Sequence, residues 1–226
     1  MPAVPASAYA WRVDLLALYG LTLATPALEL RLPSEEELVV LARVAEAGVH
    51  PPGEMPFLIP WTDPSETFVS DFVAYHLDLR ANWQPASWHL ELAVFLDGKP
   101  IGAQGLIGED FPLSRTVSTG SWLGLPFQRH GYGTAMRTAV LELAFSGLGA
   151  RSARSGVLEG NTASDRVSAK LGYEQVGEEW PIIRGRPVRE RTYSLDRATY
   201  LRSERAPVSI SGLAECRALF GIPDEQ

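Results

Sequence analysis

Two glycines one residue apart, Gly131 and Gly133 in "PFQRHGYGTAMR" (residues 126–137), stand just before a run with helical periodicity. A helix start leaves backbone N–H groups without partners and carries partial positive charge, and glycine lets an anion come close to both. Phosphate binding is the chemistry such a turn serves, so a phosphorylated ligand is the first expectation. A nucleoside triphosphate loop would need Gly-Lys-Ser/Thr at its end, whereas Gly133 is followed by Thr134 and Ala135 with no lysine. A dinucleotide fingerprint would need a third glycine where Met136 stands, and would follow the first strand instead of four or five. What remains is Gln128-x-x-Gly131-x-Gly133.

A phosphate turn of this kind needs a strand before it and a helix after it, and the chain supplies both. "RTVSTGSWLGL" (115–125) reads as the strand and "TAMRTAVLELAFSG" (134–147) as the helix, with Met136, Ala139, Val140, Leu143 and Ala144 on one side. Upstream, a Pro/Ala-rich start gives way to "VDLLALYGLTLATPAL" (13–28), read as a leading strand because Asp14, Gly20 and Pro26 interrupt it and it is too short to span a bilayer. "ALELRLP" (27–33) alternates as a half-buried strand does. "SEEELVVLARVAEAG" (34–48) is a helix: Ser34 caps it, Glu37 completes a capping box, Leu38, Leu41, Ala42 and Ala45 form its apolar face, and Gly48 ends it. Five prolines between Val49 and Glu66 force a loop, and a second helix covers Ser65 to about Ala81.

"SWHLELAVFLDGKPIGAQGLI" (87–107) is a hairpin turning at Asp97-Gly98. After the glycine turn come a strand near 150–157, a short helix from Asn161 to Leu171 closed by Gly172, and strands near 173–179 and 188–195. A short helix, a brief strand around 208–210 and a helix ending near Phe220 make up the tail. The expected fold is α+β, a mixed sheet of about seven strands with helices on both faces. The expected division is an N-terminal extension (1–24), one main domain (25–195) and a C-terminal appendage packed on or near it (196–226).

Composition narrows the partners. With 20 basic against 27 acidic residues the net charge is −7, which disfavours a sequence-independent grip on nucleic acid. One cysteine, Cys216, excludes an internal disulfide, and no Cys/His cluster has zinc-site spacing, so a reducing cytoplasm, no metal and no membrane are expected.

At Gln128-x-x-Gly131-x-Gly133 the chain resembles the GNAT superfamily of CoA-dependent N-acyltransferases, whose pyrophosphate loop is Gln/Arg-x-x-Gly-x-Gly/Ala. "TPALELRLP" looks like the opening strand of that family. "EGNTASDRVSAKLGYEQVG" (159–177) is similar to the Asn-x-x-Ser segment and Leu-Gly-Phe/Tyr ending of the branch that includes RimJ and RimL. The resemblance implies that the sheet is mostly antiparallel. It also implies a CoA thioester donor, acetyl-CoA or succinyl-CoA, held by Gln128, Arg129, His130, Gly131, Tyr132, Gly133 and Thr134. The backbone of Trp122, Leu123 and Leu125 would pair with pantetheine, and Asn161 would lie near the sulfur. The acceptor would be a primary amine, either a protein N-terminus, a lysine or a small molecule, with "HPPGEMPFLIPW" (50–61) as its wall. The negative charge favours a cationic acceptor, and a homodimer is the family's usual state.

The proton-transfer groups are less evident. Where the related branch carries a glutamate on the strand before the loop, this chain has Ser118. Glu109 and Asp110 are the alternative carboxylates, of which Asp110 is taken as the base candidate, and Ser164 as the acid. His89 on its alternating strand reads as structural, and Trp61, Trp83, Trp88 and Trp122 as packing residues. Arg184, Arg186, Arg189 and Arg191 in "RGRPVRER" read as a charged edge, or as a reader of a succinyl carboxylate if they turn toward the acyl end. The loss of glutamate at Ser118 leaves a catalytically idle acyl-CoA binder as the alternative function.

Overall fold

The computed structural model describes residues 15–222. Residues 1–14, most of the expected extension and the first residues of the expected leading strand, lie outside that range. A 3-10 turn (Leu16–Gly20) leads to β1 (Thr22–Ala24) and β2 (Glu29–Arg31), followed by helices α1 (Glu35–Glu46) and α2 (Phe68–Ala81). The hairpin β3 (Trp88–Leu96) and β4 (Lys99–Gly108), a one-turn α3 (Phe111–Ser114), β5 (Thr116–Leu123), α4 (Tyr132–Glu142) and β6 (Ser152–Leu158) form the centre. Then come α5 (Thr162–Lys170), β7 (Glu174–Glu179), the small hairpin β8 (Ile182–Ile183) and β9 (Arg186–Pro187), β10 (Glu190–Asp196), α6 (Arg197–Arg202), β11 (Ser209–Ser211) and α7 (Leu213–Cys216).

Nine strands form one sheet in the order β11-β1-β2-β3-β4-β5-β6-β10-β7, and β5–β6 is its parallel pair among antiparallel neighbours. Beyond the seven, the leading strand (as β1) and the brief tail strand (as β11) also join the sheet, three residues each at one edge. Alternation along the strands sorts the core into two layers. Leu90, Leu92, Val94, Val117 and Leu123 face α4, which contributes Met136, Ala139 and Val140. Ala93, Phe95 and Ala103 face α1 and α2, which contribute Leu38, Leu41, Phe68 and Phe72.

Local signals set the boundaries that matter for the site. Ser34 Oγ accepts from the Glu37 N–H at 3.2 Å while Glu37 Oε2 accepts from the Ser34 N–H at 2.9 Å, the reciprocal box that starts α1. Arg31 grips the same Glu37 and holds its carboxyl below the usual range. Asp97 (φ 50°) and Gly98 (φ 74°) turn the β3–β4 hairpin in the left-handed region that Asp-Gly tolerates. α4 gives way at Leu143 to a π turn through Gly147. The tail joins the sheet through β11, and Phe220 packs edge-on against Trp83 and Trp88 while the Trp83 indole N–H donates to the Leu219 carbonyl at 2.8 Å. Cys216 is buried there, its thiol pushed up to about 11 chiefly by that burial, which removes it as a nucleophile.

Candidate active site

The register between β5 and β6 creates the site. The two strands pair only at Thr116–Ser152, Val117–Ala153 and Ser118–Arg154, and then part. From Thr119 to Leu123 the β6-facing edge of β5 has no strand beside it, while β4 covers its other edge as far as Gly102–Leu123. This fork leaves a strand edge on which an extended chain can hydrogen-bond.

At the open end of the fork lies the glycine turn. Gly131 adopts φ 85° and N-caps α4; nothing crowds the place its Cβ would take, so glycine is required by conformation. None of the N–H groups of residues 129–133 donates to another described residue. Together they form the nest of donors at a helix start that suits a pyrophosphate. Gln128 braces this turn from behind: its side-chain amide donates to the Leu123 carbonyl at 2.9 Å and the Val49 carbonyl at 2.8 Å. The Leu125 N–H is similarly taken by the Gly48 carbonyl. Arg129 and His130 are exposed, and the His130 ring stacks on Tyr132. α5 reaches the same corner, with Val167 Cγ2 3.6 Å from where a Gly133 Cβ would stand. Asn161 caps α5 by accepting from the Ser164 N–H at 3.1 Å, and Ser164 is half-buried.

The opposite face of β5 carries a hollow. Glu91, Gly105 and Gly120 are aligned across β3, β4 and β5, and so share a face with Trp122. The Glu91 carboxylate leans over Gly105, 2.6 Å from where a Cβ there would be, and no described atom beyond its chain neighbours comes within 4 Å of where a Gly120 Cβ would stand. Because strands lie about 4.8 Å apart, this places the carboxylate roughly 5 Å from the Gly120 backbone. His89 Nε2 lies 2.8 Å from Glu91 Oε2. The wall is aromatic: Trp61 packs on Phe57, Phe72 and Trp122 at ring separations of 5.1, 6.0 and 5.6 Å. The proline-rich loop thus covers the strand that carries the fork, as a wall for the acceptor would.

His76 lies under this wall, packed on Phe72 and 3% exposed. Burial holds its pKa down at about 4, against a partial opposing pull from Glu91, while Arg80 and His89 lower it further. The unfolded chain therefore binds more protons than the folded one between pH 6.5 and 4, and stability falls as pH drops through that window. The expected loss is about 3 kcal/mol by pH 4 relative to pH 7. Urea unfolding of the wild type and of His76→Phe at both pH values checks this: the variant should lose most of that difference, and an equal slope in both proteins would refute it.

Several sequence-predicted residues thus meet at one place, namely Trp122, Leu123 and the turn from Gln128 to Thr134, with Asn161 and Ser164 beside them. Asp110 does not join them. It lies two residues beyond Gly108, where β4 faces Trp88 and Val117, about 15 Å along the strand from Gly105. It sits at φ 44° in an exposed turn, its N–H on Ser87 Oγ. Three of the four arginines are engaged elsewhere: Arg184 pairs with Asp63, Arg189 lies 3.8 Å from both Glu159 and Glu178, and Arg191 pairs with Asp165, while Arg186 is exposed on β9. Sequence reading missed Glu91 and took His89 as structural only; the signal available was their common parity on β3 with the two glycines that β4 and β5 align beside Glu91.

A split parallel pair with a glycine turn at its mouth, in a mixed sheet, suits an extended ligand that ends in a phosphate. The acetyltransferase (GNAT) domain family matches residues 27–174, and the chain belongs to that family. Its fold is shared with RimJ of Mycobacterium smegmatis, solved with CoA-disulfide, at 18% identity and TM-score 0.67 over 89% of this chain and 95% of that one. RimL, the ribosomal L7/L12 α-N-protein acetyltransferase solved with coenzyme A, matches at 16% identity and TM-score 0.63 over 76% of this chain and 95% of that one. A GCN5-related N-acetyltransferase from Brucella melitensis matches at 17% identity and TM-score 0.65 over 88% and 84%.

Proposed function

We propose that this chain is a cytoplasmic N-acyltransferase that moves an acyl group, acetyl by default and succinyl as the open alternative, from CoA to a primary amine in a ternary complex. The observation that carries this reading is the β5–β6 fork ending on the Gly131 nest. The donors of residues 129–133 fit a pyrophosphate, and the unpaired β5 edge from Thr119 to Leu123 fits the amides of pantetheine. The thioester supplies an activated acyl carbon and a thiol leaving group.

The protein's part begins with the acceptor. Glu91, facing the hollow over Gly120, receives the proton that an ammonium must lose before its nitrogen can attack, and His89 orients the carboxylate. The aromatic wall of Trp61 and Trp122 suits a cation entering that hollow. An α-amine with pKa near 7.7–8.0 is already roughly one-tenth neutral at pH 7, so a protein N-terminus asks less of Glu91 than a lysine at about 10.4 does. Amide formation joins nitrogen to the acyl carbon as the C–S bond breaks, and the departing thiolate takes a proton; Ser164, next to the loop, is the donor within this corner. Glu91 supplies the carboxylate absent at Ser118, which removes the sequence argument for an idle binder.

Thermal unfolding with CoA and acetyl-CoA tests this. At 100-fold excess over the dissociation constant each should stabilise by about 2.7 kcal/mol, or roughly 5–10 °C in a chain of this size. A Gly131→Glu/Gly133→Glu variant should lose the shift. Absence of any shift in the wild type would end the acyltransferase reading.

A further inference from the structure

The fork contains a charge that no carboxylate among the described residues neutralises. Arg137, on the inner side of α4, is 3% exposed and the only fully buried arginine among the described residues. Its guanidinium spans the gap where β5 and β6 have separated, donating from Nη2 to Ser121 Oγ on β5 at 3.2 Å and from Nη1 to Ser155 Oγ on β6 at 3.1 Å. No carboxylate among the described residues pairs with it, and its Nε has no partner. Two further buried polar atoms close by are also unmatched. The Tyr173 hydroxyl lies beside Arg137 and Thr119 without a hydrogen bond of good geometry, and Gln104, aligned with Ser121, leaves its Oε1 unbonded while its Nε2 donates to the Gly105 and Gly120 carbonyls.

A guanidinium taken out of water against two neutral hydroxyls is a costly arrangement. An anion arriving between the two hydroxyls would complete it. The position tells which anion: Ser121 lies in the unpaired stretch of β5, and Ser155 one residue past the last β5–β6 pair, so Arg137 stands inside the fork, away from the pyrophosphate turn at its mouth. A methyl group placed there would leave the charge as it is. Arg184, Arg189 and Arg191 already hold carboxylates, so they do not offer a free cation to an acyl group.

We propose that Arg137 reads a carboxylate at the far end of the donor's acyl group, making the donor a short dicarboxylic acyl-CoA of which succinyl-CoA is the four-carbon case. Ser121, Ser155 and the Tyr173 hydroxyl complete the donor set around that carboxylate. This inference rests on the acyltransferase reading and selects between its donors.

Binding of CoA, acetyl-CoA, butyryl-CoA and succinyl-CoA, measured by titration calorimetry on the full chain, tests it without needing the acceptor. Butyryl-CoA has the chain length of succinyl-CoA and no charge. The wild type should bind succinyl-CoA about tenfold or more tighter than either neutral thioester, the discrimination expected of a charge-assisted hydrogen-bonding site. Arg137→Met should abolish that preference and leave CoA itself bound as before; Arg137→Lys should keep part of it. Equal binding of butyryl- and succinyl-CoA, or a preference that survives Arg137→Met, would overturn the proposal while leaving the acyltransferase reading intact. Should Arg137→Met fail to fold, the wild-type series decides alone. Failure of every CoA species to bind would instead strike the acyltransferase reading itself.

Discussion

Glu91→Gln is expected to lower kcat at pH 7 by up to about tenfold for an α-amine, already roughly one-tenth neutral there, and by roughly 10²- to 10³-fold for a lysine, with CoA affinity unchanged. The substitution keeps the side-chain volume over Gly105 and leaves an oxygen to accept from His89 Nε2, so fold and hollow persist while the proton acceptor is lost. The loss should depend on pH in one direction. As pH rises toward the acceptor's own pKa, more of the amine is neutral without help, and variant and wild type should converge. A thiol-release assay over an amine panel, run from pH 6.5 to 9.5, measures both. Asp110→Asn, in the distant turn, should stay within about twofold of wild type on the same scale, since surface changes remote from a site are usually small. A Glu91→Gln enzyme with near-normal kcat at pH 7, or a deficit constant across the pH range, would remove Glu91 from the role.

The contrast between Glu91 and Asp110 shows which kind of information a single sequence carries. The capping box at Ser34–Glu37, the Asp97-Gly98 turn, the buried face of α1 and the Gly131 nest are local: each depends on a few consecutive residues and their backbone preferences, and each stands as the sequence indicates. The α+β strand and helix order was legible for the same reason, from alternation and turn signals, while the mostly antiparallel sheet came from the family resemblance. The fork was legible only through the family resemblance, which gives Trp122, Leu123 and Leu125 to pantetheine; nothing in "RTVSTGSWLGL" or "ARSARSGVL" itself says that pairing stops after Ser118 and Arg154. Glu91 was hidden by the same gap. Its parity was plain, but that Gly105 and Gly120 align beside it depends on two registers far apart in the chain. Asp110 looked promising because it follows a strand in sequence, and the antiparallel turn carries it to the wrong end. Nothing in "TAMRTAVLELAFSG" singles out Arg137, and only the packing of α4 against the opened strands shows that it is enclosed.

Register also makes one glycine indispensable and another replaceable. Gly102 on β4 pairs with Leu123 at the last rung before the turn. A Cβ there would come within 2.9 Å of Leu123 Cα and 2.8 Å of Leu123 Cδ2, and closer still to the Trp122 carbonyl oxygen. The obstruction is backbone, so β5 itself would have to move. That displacement would pass to the Gly124 N–H, held by the Ile101 carbonyl at 2.9 Å, and to the Leu123 carbonyl on which Gln128 braces the glycine turn. Gly102→Val is therefore expected to cost about 3 kcal/mol or more, at the upper end of overpacking, lowering the melting temperature by roughly 6–12 °C, and to abolish stabilisation by CoA. Gly120→Ala is the matched control on the next strand. Its Cβ enters open space at a φ that alanine adopts, so the fold should be unharmed or slightly firmer. The methyl would instead occupy the hollow beside Glu91 and raise KM for the amine while CoA binds normally. Scanning calorimetry with and without CoA, followed by amine titration, separates the two glycines. A Gly102→Val protein as stable as wild type would mean that β4 and β5 are not packed at this rung as described. A Gly120→Ala protein with unchanged KM would mean that the amine does not approach over Gly120.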